Sequence, residues 1–178
     1  MTFEAFPKIA RLKRNAVISE KIDGTNAQIF ITDDGDVLAG SRNRMVTVAS
    51  DNYGFARWVE GNKAELLKLG PGRHFGEWWG HGIQRGYNQK EKRFSLFNSF
   101  RWKDPAERPA CCEVVPVLWY GEFATEPVDW CIQKLRDSGS VAAPGFMNPE
   151  GIVVWHDAAK QMFKVTCEND NQPESLAA

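Results

Sequence analysis

Residues 20–26 read Glu-Lys-Ile-Asp-Gly-Thr-Asn, and what flanks them constrains the fold more than any other feature of the chain. Val17 and Ile18 lead in, and Ala27, Ile29 and Ile31 alternate with Gln28, Phe30 and Thr32 on the way out. Such period-two alternation marks a half-buried strand, so the segment predicts strand, tight turn, strand, with Gly24 supplying the turn. Lys21 then stands where one strand gives way to the next, an amine beside the carboxylate of Asp23. That amine is a candidate nucleophile. Taken alone, the string is equally a hairpin turn with a solvated lysine, since a Lys-x-Asp-Gly string arises by chance in roughly one chain in 25 of this size.

The remaining elements follow from the same kind of pattern. Asp33-Asp34-Gly35-Asp36 is a turn signal leading into 37–41, so three antiparallel strands are expected over residues 16–41. Asp51 or Asn52 caps a helix over 53–68, with Phe55, Trp58, Val59 and Leu66 on its apolar face, an interruption at Gly61, and a stop at Gly70-Pro71-Gly72. Residues 73–79 and 93–102 read as buried strands, 128–138 as a second helix after Pro127, and 150–156 and 161–167 as two closing strands. Many strands with few helices indicate an α+β fold of antiparallel sheets with flanking helices. At 178 residues the chain suits one domain, 1–171, with 172–178 as a disordered tail.

Composition narrows the partners. The net charge is −1, from 22 basic and 23 acidic residues, so any polynucleotide must bind a local patch rather than a globally basic surface. No run of eighteen apolar residues and no basic-then-apolar leader is present, which points to a cytoplasmic protein without a membrane association. The four cysteines at 111, 112, 131 and 167 show no C-x-x-C spacing and read as unpaired thiols in a reducing compartment. His74, His81 and His156 lack paired ligand spacing, so no structural zinc is expected.

Short strings farther along change the weight of the first one. Ser41-Arg42, Phe75-Gly76-Glu77, Phe97-Asn98, Glu150-Gly151-Ile152-Val153-Val154 and Phe163-Lys164-Val165 follow Lys21-Ile22-Asp23-Gly24-Thr25-Asn26 in the order of motifs Ia, III, IIIa, IV and V after motif I. Over residues 20–166 the sequence thus resembles the covalent nucleotidyltransferases, the superfamily of ATP-dependent DNA and RNA ligases and mRNA capping enzymes. The resemblance is greatest to RNA ligases that join a 3'-hydroxyl to a 5'-phosphate, for which the Asn26 ending of motif I is typical. It implies the ATP-grasp-like ligase nucleotidyltransferase fold, with the nucleotide between two sheets, and a lysine-AMP intermediate on Lys21.

The residues suit those roles to different degrees. An ordinary lysine amine is almost wholly protonated at pH 7. A nucleophilic Lys21 therefore calls for desolvation and nearby cations, here Arg42, Lys164 and a bound Mg²⁺ or Mn²⁺. Arg42 and Lys164 suit the ATP phosphates, where fixed cations meet developing charge. Glu77 lies in an apolar, aromatic stretch where an unpaired carboxylate is costly, so it needs a partner: the ribose hydroxyl that the resemblance implies, or a buried salt bridge. Glu150 would hold the metal or a water in its shell, or would be a plain acid at a strand start. Phe97 would stack on adenine, or belong to the core. Glu20 would accept a hydrogen bond from the adenine amino group, Asn26 would hold a phosphate or orient the lysine, and Ile22 and Ile152 complete the nucleotide-binding set.

Two departures from the family pattern stand out. Thr166 occupies the place of the second motif V lysine, which leaves a phosphate contact missing or supplied by Lys160. With twelve residues after Thr166, no C-terminal OB or helical domain is expected, so lysine nucleotidylation is better supported than strand sealing, and a protein partner supplying that domain is an expectation. Trp78 to Tyr87, rich in aromatics and glycine with one cation, reads either as a base-stacking loop that contacts RNA or as a loop closing over the pocket. The expected substrate is an RNA end or nicked duplex. The alternatives are a minimal DNA ligase and a non-catalytic nucleotide or RNA-end binding module.

Overall fold

The alternation on either side of Lys21 does form two strands, β1 (Asn15–Lys21) and β2 (Thr25–Ile31), yet these two do not pair. The computed structural model, which describes residues 2–168, places them in different sheets, and Ile22-Asp23-Gly24 carries the chain across. The expected three-stranded unit is therefore split. β2 pairs with β3 (Val37–Ser41), whereas β1 lies between β8 (Val117–Glu122) and β9 (Gly151–His156). The expected tail, 172–178, lies outside the described residues.

Among the described residues the first sheet runs β10-β9-β1-β8, with β10 (Gln161–Thr166) at one edge, and is antiparallel throughout. The second runs β4-β3-β2-β5-β6-β7, adding β4 (Met45–Val46), β5 (Gly72–Gly80), β6 (Lys92–Leu96) and β7 (Glu113–Val114). It is antiparallel apart from the β6–β7 pair. The α+β class read from the sequence holds.

Each sheet has its own apolar core. On the second sheet, Ile29 and Ile31 of β2, with Trp78 and Phe94, pack against Phe55 and Val59 of α1 (Phe55–Gly61). The Phe55 ring lies 5.4 Å from both Trp78 and Phe94. On the first, Ala16 and Ile18 of β1 and Ile152 of β9 meet Cys131 and Leu135 of α3 (Thr125–Ser138). Residues four apart lie on one helix face, so a single stripe of α3 covers this sheet. A third cluster, Ile22, Trp79, Tyr87, Val115 and Ala143, sits where the chain crosses between sheets.

Two element boundaries differ from expectation. The helix expected over 53–68 divides into α1, α2 (Lys63–Leu66) and a 3-10 turn, because the chain departs from helical geometry at Asn62. Asp51 does serve its start, accepting bonds from the Ala56 and Arg57 backbone N–H at 2.7 and 3.1 Å. The strand expected over 93–102 stops at Leu96. Asn98 Oδ1 accepts the Arg101 N–H at 3.2 Å, turning the chain and leaving Phe97 and Phe100 at the surface. No helix among the described residues is long and apolar enough to cross a membrane.

Candidate active site

Strand parity builds the site. Ala16, Ile18 and Glu20 of β1 are buried toward α3, so Val17, Ser19 and Lys21 face the other way, into a cavity of about 760 Å³ between the sheets. A cavity of this size suits a small ligand. The antiparallel register extends that wall. Lys21 stands opposite Gly151, and Ser19 opposite Val153, which in turn pairs with Lys164 of β10. From the second sheet, Asn26 and Glu77 face each other across β2 and β5, and Phe97, 39% exposed, follows β6. Glu20, Lys21, Ile22, Asn26, Glu77, Phe97 and Lys164 thus line one cavity.

The surroundings of Lys21 are acidic, contrary to expectation. Its Nζ lies 2.6 Å from Glu150 Oε1. Glu77 feels the charges of Lys21, Glu150 and Asp23 together. Only 7% exposed, Glu77 has its pKa pushed up to about 8, first by burial; Lys21 and the Gly24 backbone N–H act against the rise, while Glu150 and Asp23 add to it.

A carboxyl with a raised pKa binds its proton more tightly folded than unfolded, so stability falls as pH rises through the window between the two values. For Glu77 that window runs from about 4.5 to about 8. Between pH 5 and pH 8 the wild type should lose up to about 1.4 kcal/mol per pH unit relative to Glu77→Gln, as read by denaturant unfolding. Parallel pH profiles for the two proteins would rule this out.

Glu20 also lines the cavity, although its carboxylate is engaged by protein groups, and two other expected residues, Ile152 and Arg42, are not among the lining residues. Glu20, on the α3 side of β1, is 1% exposed, and its carboxylate accepts hydrogen bonds from Ser140 Oγ at 2.5 Å and the Val141 and Ala142 N–H at 2.8 and 2.9 Å. Burial raises its pKa against the effect of those bonds. Its carboxylate anchors segment 140–142 to β1. Ile152 is fully buried toward α3, and Val153 lines the cavity in its place. Both faces of β9 are apolar, so its parity was not readable from sequence. Arg42, after β3, is not among the cavity-lining residues.

Thr166 Oγ1 donates to the Glu168 carbonyl at 2.7 Å, and Lys160 sits in the β9–β10 turn over the Trp155 ring, at the end of β9 opposite Lys21. The aromatics of 78–87 cannot stack bases, because Trp78, Trp79 and Tyr87 are all buried. Gly24 does not adopt a left-handed turn. A Cβ there would stand 2.5 Å from the Trp78 carbonyl oxygen, so glycine is required by close approach to β5. Val17, Ser19, Tyr120 and Trp155 also line the cavity. The first two share the parity of Lys21, a signal the sequence did contain.

Glu150 carries the observation that bears on a metal. Its Oε2 is buried without a hydrogen-bond partner. Such an oxygen is costly to leave unsatisfied, and carboxylate oxygens are the ligands a hard divalent cation takes. The described residues hold no cluster of three or more His, Cys, Asp and Glu side chains able to bind a metal. Mg²⁺ is commonly held by one or two carboxylates with water and phosphate completing the shell.

Two facing sheets joined through a lysine-bearing crossing define a nucleotidyltransferase fold of the RNA ligase type, shared with solved structures of the Naegleria gruberi RNA ligase. The sequence profile of the RNA ligase family matches residues 14–166, and the chain belongs to that family. A variant of the Naegleria enzyme solved with ATP and Mn superposes with a TM-score of 0.68 at 20% identity, over 88% of this chain and 51% of that one. For an apo variant the values are 0.65, 20%, 88% and 50%, and for one with AMP and Mn 0.63, 19%, 87% and 50%. The chain spans about half the length of these ligases. None of the curated proteins matches it.

Proposed function

We propose that this protein is an ATP-dependent RNA ligase that carries AMP on Lys21 and joins a 3'-hydroxyl to a 5'-phosphate. One observation carries the reading: Lys21 reaches into a cavity that Lys164, Glu77 and Phe97 also line, at the seam between the sheets. The Lys21 amine forms a P–N bond to the α-phosphorus of ATP as the bond to the bridging oxygen breaks. Pyrophosphate leaves with that electron pair, and the proton lost from Nζ faces Glu150 Oε1, 2.6 Å away. AMP then passes from Lys21 to the 5'-phosphate of a strand, and attack of a 3'-hydroxyl on that 5'-phosphorus expels AMP and leaves a phosphodiester.

The residues on the cavity walls suit the remaining roles. Lys164 meets phosphate charge. Glu77, a largely neutral acid at pH 7, can both donate to and accept from a ribose hydroxyl. Phe97 and Val153, from opposite walls, take the two faces of the adenine. Glu150 would hold the divalent cation, Mg²⁺ or Mn²⁺, whose chemistry there is to neutralise phosphate charge and to compete with the lysine ammonium for the carboxylate. A cytoplasmic setting, and a partner that adds nucleic-acid contacts, belong to the same proposal.

The test is incubation with α-phosphate-labelled ATP and Mg²⁺ or Mn²⁺, followed by denaturing electrophoresis. Label should survive denaturation, leave when pyrophosphate is added back, and transfer to 5'-phosphorylated nicked RNA in preference to nicked DNA. Protein first stripped with pyrophosphate that still takes no label would sink the enzyme reading and favour a nucleotide-binding module, the role to which Thr166 in the second lysine place would be suited. Preference for nicked DNA would instead make it a DNA ligase.

A further inference from the structure

Residues 81–88 line no part of the cavity, yet this is a conformationally demanding stretch. Gln84, Tyr87 and Asn88 have φ of 45°, 51° and 55°, interleaved with Gly82 and Gly86 at 70° and 66°. Residues with a Cβ hold such angles only where their surroundings fix them. The Tyr87 ring is fully buried between Trp79 and Phe146, with centroids 5.4 and 4.5 Å away. Its hydroxyl oxygen accepts the Asp23 backbone N–H at 2.9 Å and also interacts with the backbone N–H of Glu150. Two residues earlier, Arg85 Nε donates to Asp23 Oδ2 at 3.0 Å, while its Nη1 donates to the Asn148 carbonyl and Oδ1 at 3.1 and 2.8 Å.

These contacts fall at a fork. Lys21 and Gly151 are the last paired residues of β1 and β9. Beyond them one chain continues into Ile22-Asp23 and the other comes from Asn148-Pro149-Glu150, and the Lys21–Glu150 ion pair sits at the point of divergence. We propose that the 81–88 loop is a clasp across this fork, with Tyr87 and Arg85 as positioning residues that set how Lys21 meets Glu150 and so govern adenylyl transfer to the lysine. The clasp rests on the lysine-AMP reading for its effect on rate, but its geometry can be tested without it. Neither residue touches the nucleotide cavity, so each acts through the chain it holds.

Tyr87→Phe keeps the ring and removes one oxygen, and Arg85→Gln, at a partly exposed side chain, serves as a second variant should the first fold poorly. Amide exchange at Asp23 in Tyr87→Phe should be faster by about tenfold or more, with ATP affinity within about twofold of wild type. The single-turnover rate of lysine adenylylation should fall about 10- to 100-fold in both variants, as for a misplaced reacting group. A rate that is unchanged, or that falls in step with nucleotide binding and the folded fraction, would overturn the proposal. If the wild type takes no label, the ligase reading fails by itself, and the clasp is then decided by exchange: unchanged protection of the Asp23 amide in Tyr87→Phe overturns it, and faster exchange supports it.

Discussion

A Lys21→Ala protein forms no covalent AMP, while it folds and still binds ATP in its cavity. Loss of the attacking amine should lower lysine adenylylation by at least about 1000-fold, since no residual binding or electrostatic effect supplies a missing nucleophile. The fold should tolerate the change. Lys21 is the last residue of β1, its side chain is partly exposed, and its ion pair is with Glu150, whose side chain also reaches solvent. Part-exposed pairs contribute roughly 1 kcal/mol or less. ATP binding by Lys21→Ala, followed by calorimetry, separates lost chemistry from lost structure. Label that persists in this variant would move the nucleophile elsewhere, with Lys164 the first candidate in the cavity wall.

Gly24→Ala should be among the most damaging single-methyl changes in the chain. The added Cβ would stand 2.5 Å from the Trp78 carbonyl oxygen, 2.8 Å from Trp79 Cβ and 3.0 Å from Glu77 Cγ. Two of these are backbone or backbone-bound atoms within β5, which pairs on both sides and cannot step back alone. Alanine could adopt the local backbone angles, so the cost is collision rather than torsional strain. We expect a loss of about 3 kcal/mol, or roughly 6–12 °C in Tm. Because relief must move either Asp23-Gly24 or Glu77, adenylylation should drop as well. A melting temperature within about 2 °C of wild type would refute the close approach.

The two readings of Gly24, a turn from the sequence and a close approach in the structure, show what the sequence could convey. Strand existence around Lys21 was legible, because alternation is a local property of the chain. That β1 and β2 belong to different sheets was not, since partner choice depends on Gly24 fitting against β5 and on β8 and β9 arriving from more than ninety residues away. The cavity residues Glu20, Lys21, Ile22, Asn26, Glu77, Phe97 and Lys164 were named from the motif strings and their flank. Ile152 was named from the same strings and faces α3, because a motif fixes residue order but not which side of a strand turns inward. Tyr87 looked like a surface aromatic in a glycine-rich loop. Only the left-handed backbone that buries it reveals that it points into the molecule.

The two apolar cores have a mechanical consequence. Each sheet is packed on its outer side, by α1 in one case and α3 in the other, and the halves meet through the cluster around Ile22 and Trp79. Between two such finished walls a bound nucleotide is mortar: it touches both and belongs to neither. Cohesion across the cleft is then partly supplied by the substrate, and rises with its concentration as for any ligand that binds the folded state. With ATP as the proposed ligand, a cell rich in it would hold this protein together more firmly than one running short.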